Sequence, residues 1–199
     1  MLVGFAVAAM IALGVWQYMR AGEKEALIAL YERNIAMSSE VKFPVFGPVP
    51  DDALFRYSGV FCMDVVGWRS EGGRAANGKT AYRHIAECRT GAEGPGALVQ
   101  AGTSEEPNQK PRWNGGAIVR GWLVTEPDHR NLIQRLFGAS PPLRPMLVLA
   151  EPVAGLGGSA RPDPAELPNN HIAYMWQWFF FAGIAALIFW LALRQRREV

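Results

Sequence analysis

The chain has 199 residues, half of them hydrophobic and 19% charged, with a formal net charge of +2. The basic excess comes from Arg194, Arg196 and Arg197 near the C-terminus, with Glu198 beside them. No Lys/Arg stripe or basic run lies between the two apolar ends, so nothing suggests a nucleic-acid partner.

Leu2 to Met19 is uncharged, with Gln17 its strongest polar residue, and Arg20 closes it. Trp16, Tyr18 and Arg20 suit the membrane–water interface, so the segment is expected to span a bilayer. A cleaved signal peptide is the rival. It is weakened because there is no basic n-region and no clear small-x-small cleavage site before Arg20.

Glu23 to Ile35 sets Leu27, Ile28, Leu30, Tyr31 and Ile35 on a helical stripe, with Glu23, Lys24, Glu32 and Arg33 elsewhere. This reads as the first membrane helix continuing into water, with Gly22 as a weak point. Pro44, Pro48 and Pro50 end the helix. Asp51-Asp52 reads as a solvated turn after Pro50.

Short alternating runs follow. Phe55, Tyr57, Gly59, Phe61, Met63 and Val65 are expected on one face of a strand. Further strands are expected at Thr80–Thr90, Ala97–Thr103, Gly116–Thr125 and Pro145–Val153, separated by turns such as Gly72-Gly73. Asn131–Phe137 can form a short helix. Strands at this spacing point to a small barrel or sandwich. Residues 155–168, with four of their positions taken by Gly157, Gly158, Pro162 and Pro164, form a linker.

Ile172 to Leu193 carries no full charge and stops at Arg194. At about 1.5 Å per residue it crosses a hydrocarbon core roughly 30 Å thick. His171 therefore stands at the water boundary, in Asn169-Asn170-His171-Ile172-Ala173-Tyr174, with Trp176, Trp178 and Phe179 following. The fold class is a membrane protein, with two transmembrane α-helices flanking a β-rich extracytoplasmic domain. Its parts are a first membrane helix at 1–20, a helix and β-rich domain at 21–168, a second membrane helix at 169–193 and a basic tail at 194–199. The terminal arginines put both chain ends in the cytoplasm and the domain outside. Arg20 and Lys24 count the other way, but long domains translocate largely regardless of charge.

Enzyme machinery is not found: there is no P-loop, GxSxG, HExxH, CxxC or CxxCH. His84 alternates with Tyr82 and Ala86 on an expected strand and reads as structural. His129 follows Glu126-Pro127-Asp128 and reads as a turn or cap residue. A disulfide between Cys62 and Cys88 is allowed outside the cytoplasm, but buried free thiols are favoured slightly. Copper binding would want closer Cys, Met or His spacing.

Three separated motifs resemble the surfeit locus protein 1 family, whose members assist assembly of cytochrome c oxidase. They are Leu13-Gly14-Val15-Trp16-Gln17-Tyr18-Met19-Arg20 with Lys24-Glu25-Ala26-Leu27-Ile28, then Arg120-Gly121-Trp122, then Asn169-Asn170-His171 with Tyr174 and Trp178-Phe179. They stand in the family's order, with two spans around a β-rich domain.

The resemblance implies a bacterial inner-membrane protein, with its domain on the periplasmic side and no turnover of its own. It would bind haem, haem A in particular, transiently, and aid its insertion into or retention by the catalytic subunit of a haem-copper oxidase. Haem-synthesising membrane enzymes are further implied partners, beside the lipid bilayer. The resemblance makes His171 the haem-iron ligand. The residue chemistry agrees, because a histidine in a helix's first turn lies near the positive end of the dipole, which favours neutral imidazole. Trp16 and Arg20, one turn apart, are candidates for ring stacking and a propionate partner, and His171, Met175 and Trp178 share one face. Tyr174 joins the candidate haem contacts. Gln17, Arg120, Gly121, Trp122 and Asn170 are assigned to structure or partner contact, Gln17 being expected to pair with Gln177 across two adjacent helices. The alternative is a scaffold that holds an oxidase subunit without touching haem, with Trp and Tyr as simple interface anchors and His171 as a helix cap.

Overall fold

The computed structural model describes residues 2–92, 96–109, 111–131, 134 and 141–197. The short helix expected over Asn131–Phe137 lies outside the described residues. The chain divides into two compact units, Met1–Ala29 with Ala165–Val199, and Leu30–Pro164.

The first unit is helical. Helix α1 (Leu2–Ala36) and helix α2 (His171–Arg197) are both long and apolar enough to cross a membrane. The 35 residues of α1 reach about 52 Å, well beyond a hydrocarbon core, so its last turns continue past the span. Gly22 does not break it. Low exposure on α1 recurs at Val7, Met10, Gly14, Gln17, Ala21 and Lys24, and on α2 at His171, Met175, Trp178, Ala182 and Ala185. These spacings alternate three and four, the seam pattern of paired helices. The helices meet side by side where the Phe179 ring covers Gly14: a β-carbon on Gly14 would stand 2.5 Å from a Phe179 ring carbon.

The second unit opens on the last turns of α1. The Tyr31 hydroxyl donates to the Asp51 carboxylate at 2.8 Å, and the Asn34 amide donates to the carbonyls of Asp51 and Leu54. Burial and the hydrogen bond to Asp51 push the Tyr31 phenol up to about 12, so it stays a donor. Asp51 is thus a turn residue with a structural duty. Phe55, whose ring centroid lies 5.1 Å from that of Tyr31, takes a left-handed φ of 64° to enter the sheet.

The sheet has six strands, β1 (Val41–Lys42), β2 (Tyr57–Arg74), β3 (Thr80–Arg89), β4 (Ala97–Ser104), β5 (Gly115–Thr125) and β6 (Pro145–Leu149), in the order β1-β2-β3-β4-β6-β5. β2 is long enough to pair β5 through Tyr57–Asp64 and β3 through Asp64–Arg74, so the sheet closes on itself. β6 completes the closure, parallel to β4 and antiparallel to β5. Val60, Cys62, Ala86, Cys88, Val99, Leu123 and Leu147 fill the interior, with Phe43 and Val49 packed against them. Of the barrel and the sandwich expected, the barrel is present. The five main strands stand near their expected places, but β2 runs on through Gly72 and Gly73, where a turn was expected, and β6 ends at Leu149, short of Val153.

Two further expectations are corrected. On β2 the buried residues are Ser58, Val60 and Cys62, and the face of Tyr57, Gly59, Phe61 and Met63 turns outward. Cys62 and Cys88 form a disulfide, where free thiols were favoured. β2 and β3 bring their Cα atoms to 5.2 Å inside the closed sheet, within the reach a disulfide needs.

Candidate functional site

Helix α2 begins at His171 because Pro168, Asn169 and Asn170 hold the chain outside it. The carbonyl of Asn170 accepts the Tyr174 amide at 3.2 Å, so Asn170 takes the capping position and His171 is the first helical residue. The side chain of His171 is thereby free for another task.

That task begins on α1. His171 Nδ1 lies 2.7 Å from Gln17 Oε1. A carboxamide oxygen only accepts, so Nδ1 carries the proton and donates. The Nε2 lone pair is left available, and Nε2 has no protein partner among the described residues. Below it on the same face of α2 come Met175, buried, and Trp178, half-buried. Above it, the Asn169 amide donates to the Ala21 carbonyl at 3.4 Å, while Asn169 Oδ1 is buried without a partner among the described residues. The seam thus presents one metal-competent nitrogen above a thioether and an indole.

Gln177 is exposed, and the partner of Gln17 is His171, which corrects the expected glutamine pair. Trp16 and Tyr174, each 51% exposed, lie off the seam. Arg20 is committed to Glu23 three residues on, at 2.5 Å. Lys24, which was placed on the polar side of α1, instead shares the seam face of Gln17 and Ala21, half-buried and with no partner among the described residues. Its signal was the spacing 17, 21, 24.

Arg120-Gly121-Trp122 lies on β5 in the other unit. Trp122 meets Tyr57 edge-to-face at 6.0 Å, and the Arg161 guanidinium sits 5.1 Å over its ring. Arg161 also donates to the Ile35 carbonyl at 2.6 Å, and Arg120 pairs with Glu40 at 3.1 Å. The motif fastens the end of α1 and the linker onto the sheet, as a structural reading of it requires.

The other histidines play different parts. His84 is buried, with Nε2 2.7 Å from Ser104 Oγ; the serine hydroxyl donates to the Glu106 carbonyl, so Nε2 is the donor to serine. Burial pulls its pKa down, against a smaller upward pull from Glu106. His129 is exposed, 3.4 Å from a Glu71 oxygen. Among the described residues no group of three or more His, Cys, Asp and Glu could hold a metal ion.

Two helices long and apolar enough to cross a membrane, one before and one after a closed β-rich domain in the sequence, define a membrane-anchored protein. The model of the SURF1 family matches residues 4–183, and the chain belongs to that family, which is associated with cytochrome oxidase assembly. Comparison with curated proteins gave no match.

Proposed function

We propose that this protein binds haem through His171 and aids its insertion into, or retention by, the catalytic subunit of a haem-copper oxidase, without turnover of its own. The observation that carries this reading is a histidine at the water boundary of a membrane helix, with Nδ1 engaged and Nε2 available. Neutral imidazole presenting Nε2 is the usual haem-iron ligand, and haem also needs an apolar slot for its ring. Met175 and Trp178, on the same helix face, are the apolar side chains that would line it. Lys24 is the cation placed to meet propionates, because it stands half-buried on the seam face of Gln17 and Ala21 with no partner among the described residues. Bound haem would supply the iron and the macrocycle; the protein supplies the ligand, the seam and a charge at the water side. Haem A is the form we expect, with the oxidase subunit and haem-synthesising membrane enzymes as partners.

The disulfide supports an oxidising compartment for the domain, and Arg194, Arg196 and Arg197 support a cytoplasmic tail. Together they favour the bacterial inner membrane with the domain on the periplasmic side.

The scaffold reading has its own observation. Phe61 and Ile118 are cross-strand partners on the outer face, 46% and 58% exposed, beside a groove of about 400 Å³ lined by Tyr57, Arg120, Leu149 and Pro152. Exposed apolar patches mark interaction surfaces. Purification from a haem-A-producing host, followed by a visible spectrum, separates the two readings. Haem bands at stoichiometric yield support haem handling, and a colourless protein that retains the oxidase subunit supports the scaffold.

A further inference from the structure

We infer that Gln17 is a positioning residue for the ligand nitrogen: by accepting the Nδ1 proton of His171 it holds the imidazole in the tautomer and orientation that leave Nε2 for a metal. The contact is made between the two membrane helices, by residues 154 positions apart, at 2.7 Å. Both side chains are half-buried at the seam, where a polar group partly withdrawn from water needs a partner, so each group secures the other. A metal-bound histidine ordinarily donates its other ring N–H to a carbonyl, a carboxylate or water, and that outer partner sets ring orientation and ligand strength. Here the outer partner comes from α1, and the ligand from α2. The ligand site is then complete only while the helices stay paired, with Gly14 under the Phe179 ring and Asn169 on the Ala21 carbonyl. Gln17 thus makes the strength of the ligand depend on helix pairing.

Its chemical consequence can be varied by substitution. Gln17→Glu puts a carboxylate on the Nδ1 proton, strengthens electron donation from Nε2 and lowers the midpoint potential of bound haem. Gln17→Leu removes the acceptor, weakens the ligand and raises that potential. By the usual effect of an outer partner, Gln17→Leu also lowers haem affinity about 10–100-fold.

The haem arm of the test rests on the haem reading above; an apo arm does not. In the full-length protein in lipid nanodiscs, ring ¹⁵N resonances of His171, assigned against His171→Ala, report which nitrogen carries the proton. Haemin titration and spectroelectrochemistry then follow on the wild type, Gln17→Glu and Gln17→Leu, with folding checked by circular dichroism. The expected result is an Nδ1 proton in the wild type, loss of that preference in Gln17→Leu, and midpoint potentials ordered Glu below Gln below Leu. An Nε2 proton in the wild type, or potentials and affinities that coincide across the three while His171→Ala loses haem, would overturn the role of Gln17 and leave the haem reading standing. The converse pattern, a tautomer that follows Gln17 with haem bound equally by His171→Ala, would uphold Gln17 as the partner of His171 and overturn the haem reading.

Discussion

Gly121 faces the backbone of Val148 so closely that a β-carbon on it would stand 1.9 Å from the Val148 carbonyl oxygen. β5 and β6 meet at this point, and the contact tightens the join that completes the closed sheet. Gly121→Ala should destabilise the domain by about 3 kcal/mol, the upper end of the usual cost of overpacking. Thermal unfolding of the purified protein reads this, against Gly72→Ala, whose added carbon meets nothing within 4 Å. Equal stability of the two variants would contradict the close approach.

The disulfide between Cys62 and Cys88 closes a loop of sequence separation 26. Loop closure of that length is worth about 3.5 kcal/mol through the unfolded chain. Cys62→Ser with Cys88→Ser should therefore lower the unfolding midpoint in denaturant. Alkylation of the protein taken directly from membranes, with and without reductant, counts the thiols. Two thiols modified only after reduction is the expected outcome, and free thiols in the untreated protein would contradict the oxidising placement of the domain.

His84 links stability to pH. Burial lowers its folded-state pKa below the ordinary value near 6.5, so the folded protein binds its proton less readily than the unfolded chain. The contribution is present above about pH 6.5 and is lost as pH falls from there through the lowered folded pKa. Unfolding free energy measured between pH 7.5 and 5 should fall in the wild type, and should fall less in His84→Gln. Parallel pH profiles would remove His84 from the account.

Lys24 and Arg20 are separated by their partners. Arg20 is paired with Glu23, whereas Lys24 has no partner among the described residues and shares the seam face of Gln17. Lys24→Gln should weaken haemin binding about tenfold, the scale of one charge-assisted hydrogen bond, and Arg20→Gln should leave it within a factor of two. Equilibrium titration decides, and the opposite ranking would return the propionates to Arg20.

Much of this was legible before any coordinates. Uncharged runs of spanning length set both membrane helices, and the start of the second run put His171 in the first turn of its helix, which begins at that residue. Gly- and Pro-rich turns bounded most strands of the barrel, but Gly72 and Gly73, which read as a turn, lie inside β2, paired with Tyr82 and Ala81. The inner face of β2 was not legible, because apolar residues occupy both faces there: Val60 and Cys62 inside, Tyr57, Phe61 and Met63 outside. Pairing of the cysteines depends on how β2 bends between β5 and β3, which no local pattern encodes. Two glutamines at similar depth looked like partners, yet the rotation of α2 turns His171 toward Gln17 and Gln177 away. Lys24 was assigned by its charge, although its spacing from Gln17 and Ala21 already placed it on the seam.

The central claim is that His171 ligates haem iron, and one comparison tests it most directly. Haem content per folded protein is measured for His171→Ala beside His84→Ala and His129→Ala, all produced in a haem-A-making host. The account predicts that haem is lost from His171→Ala alone, with its helical and strand signals intact, while the two control variants keep haem in proportion to their folded fraction. Unchanged haem in His171→Ala, or an equal loss in all three, would contradict it.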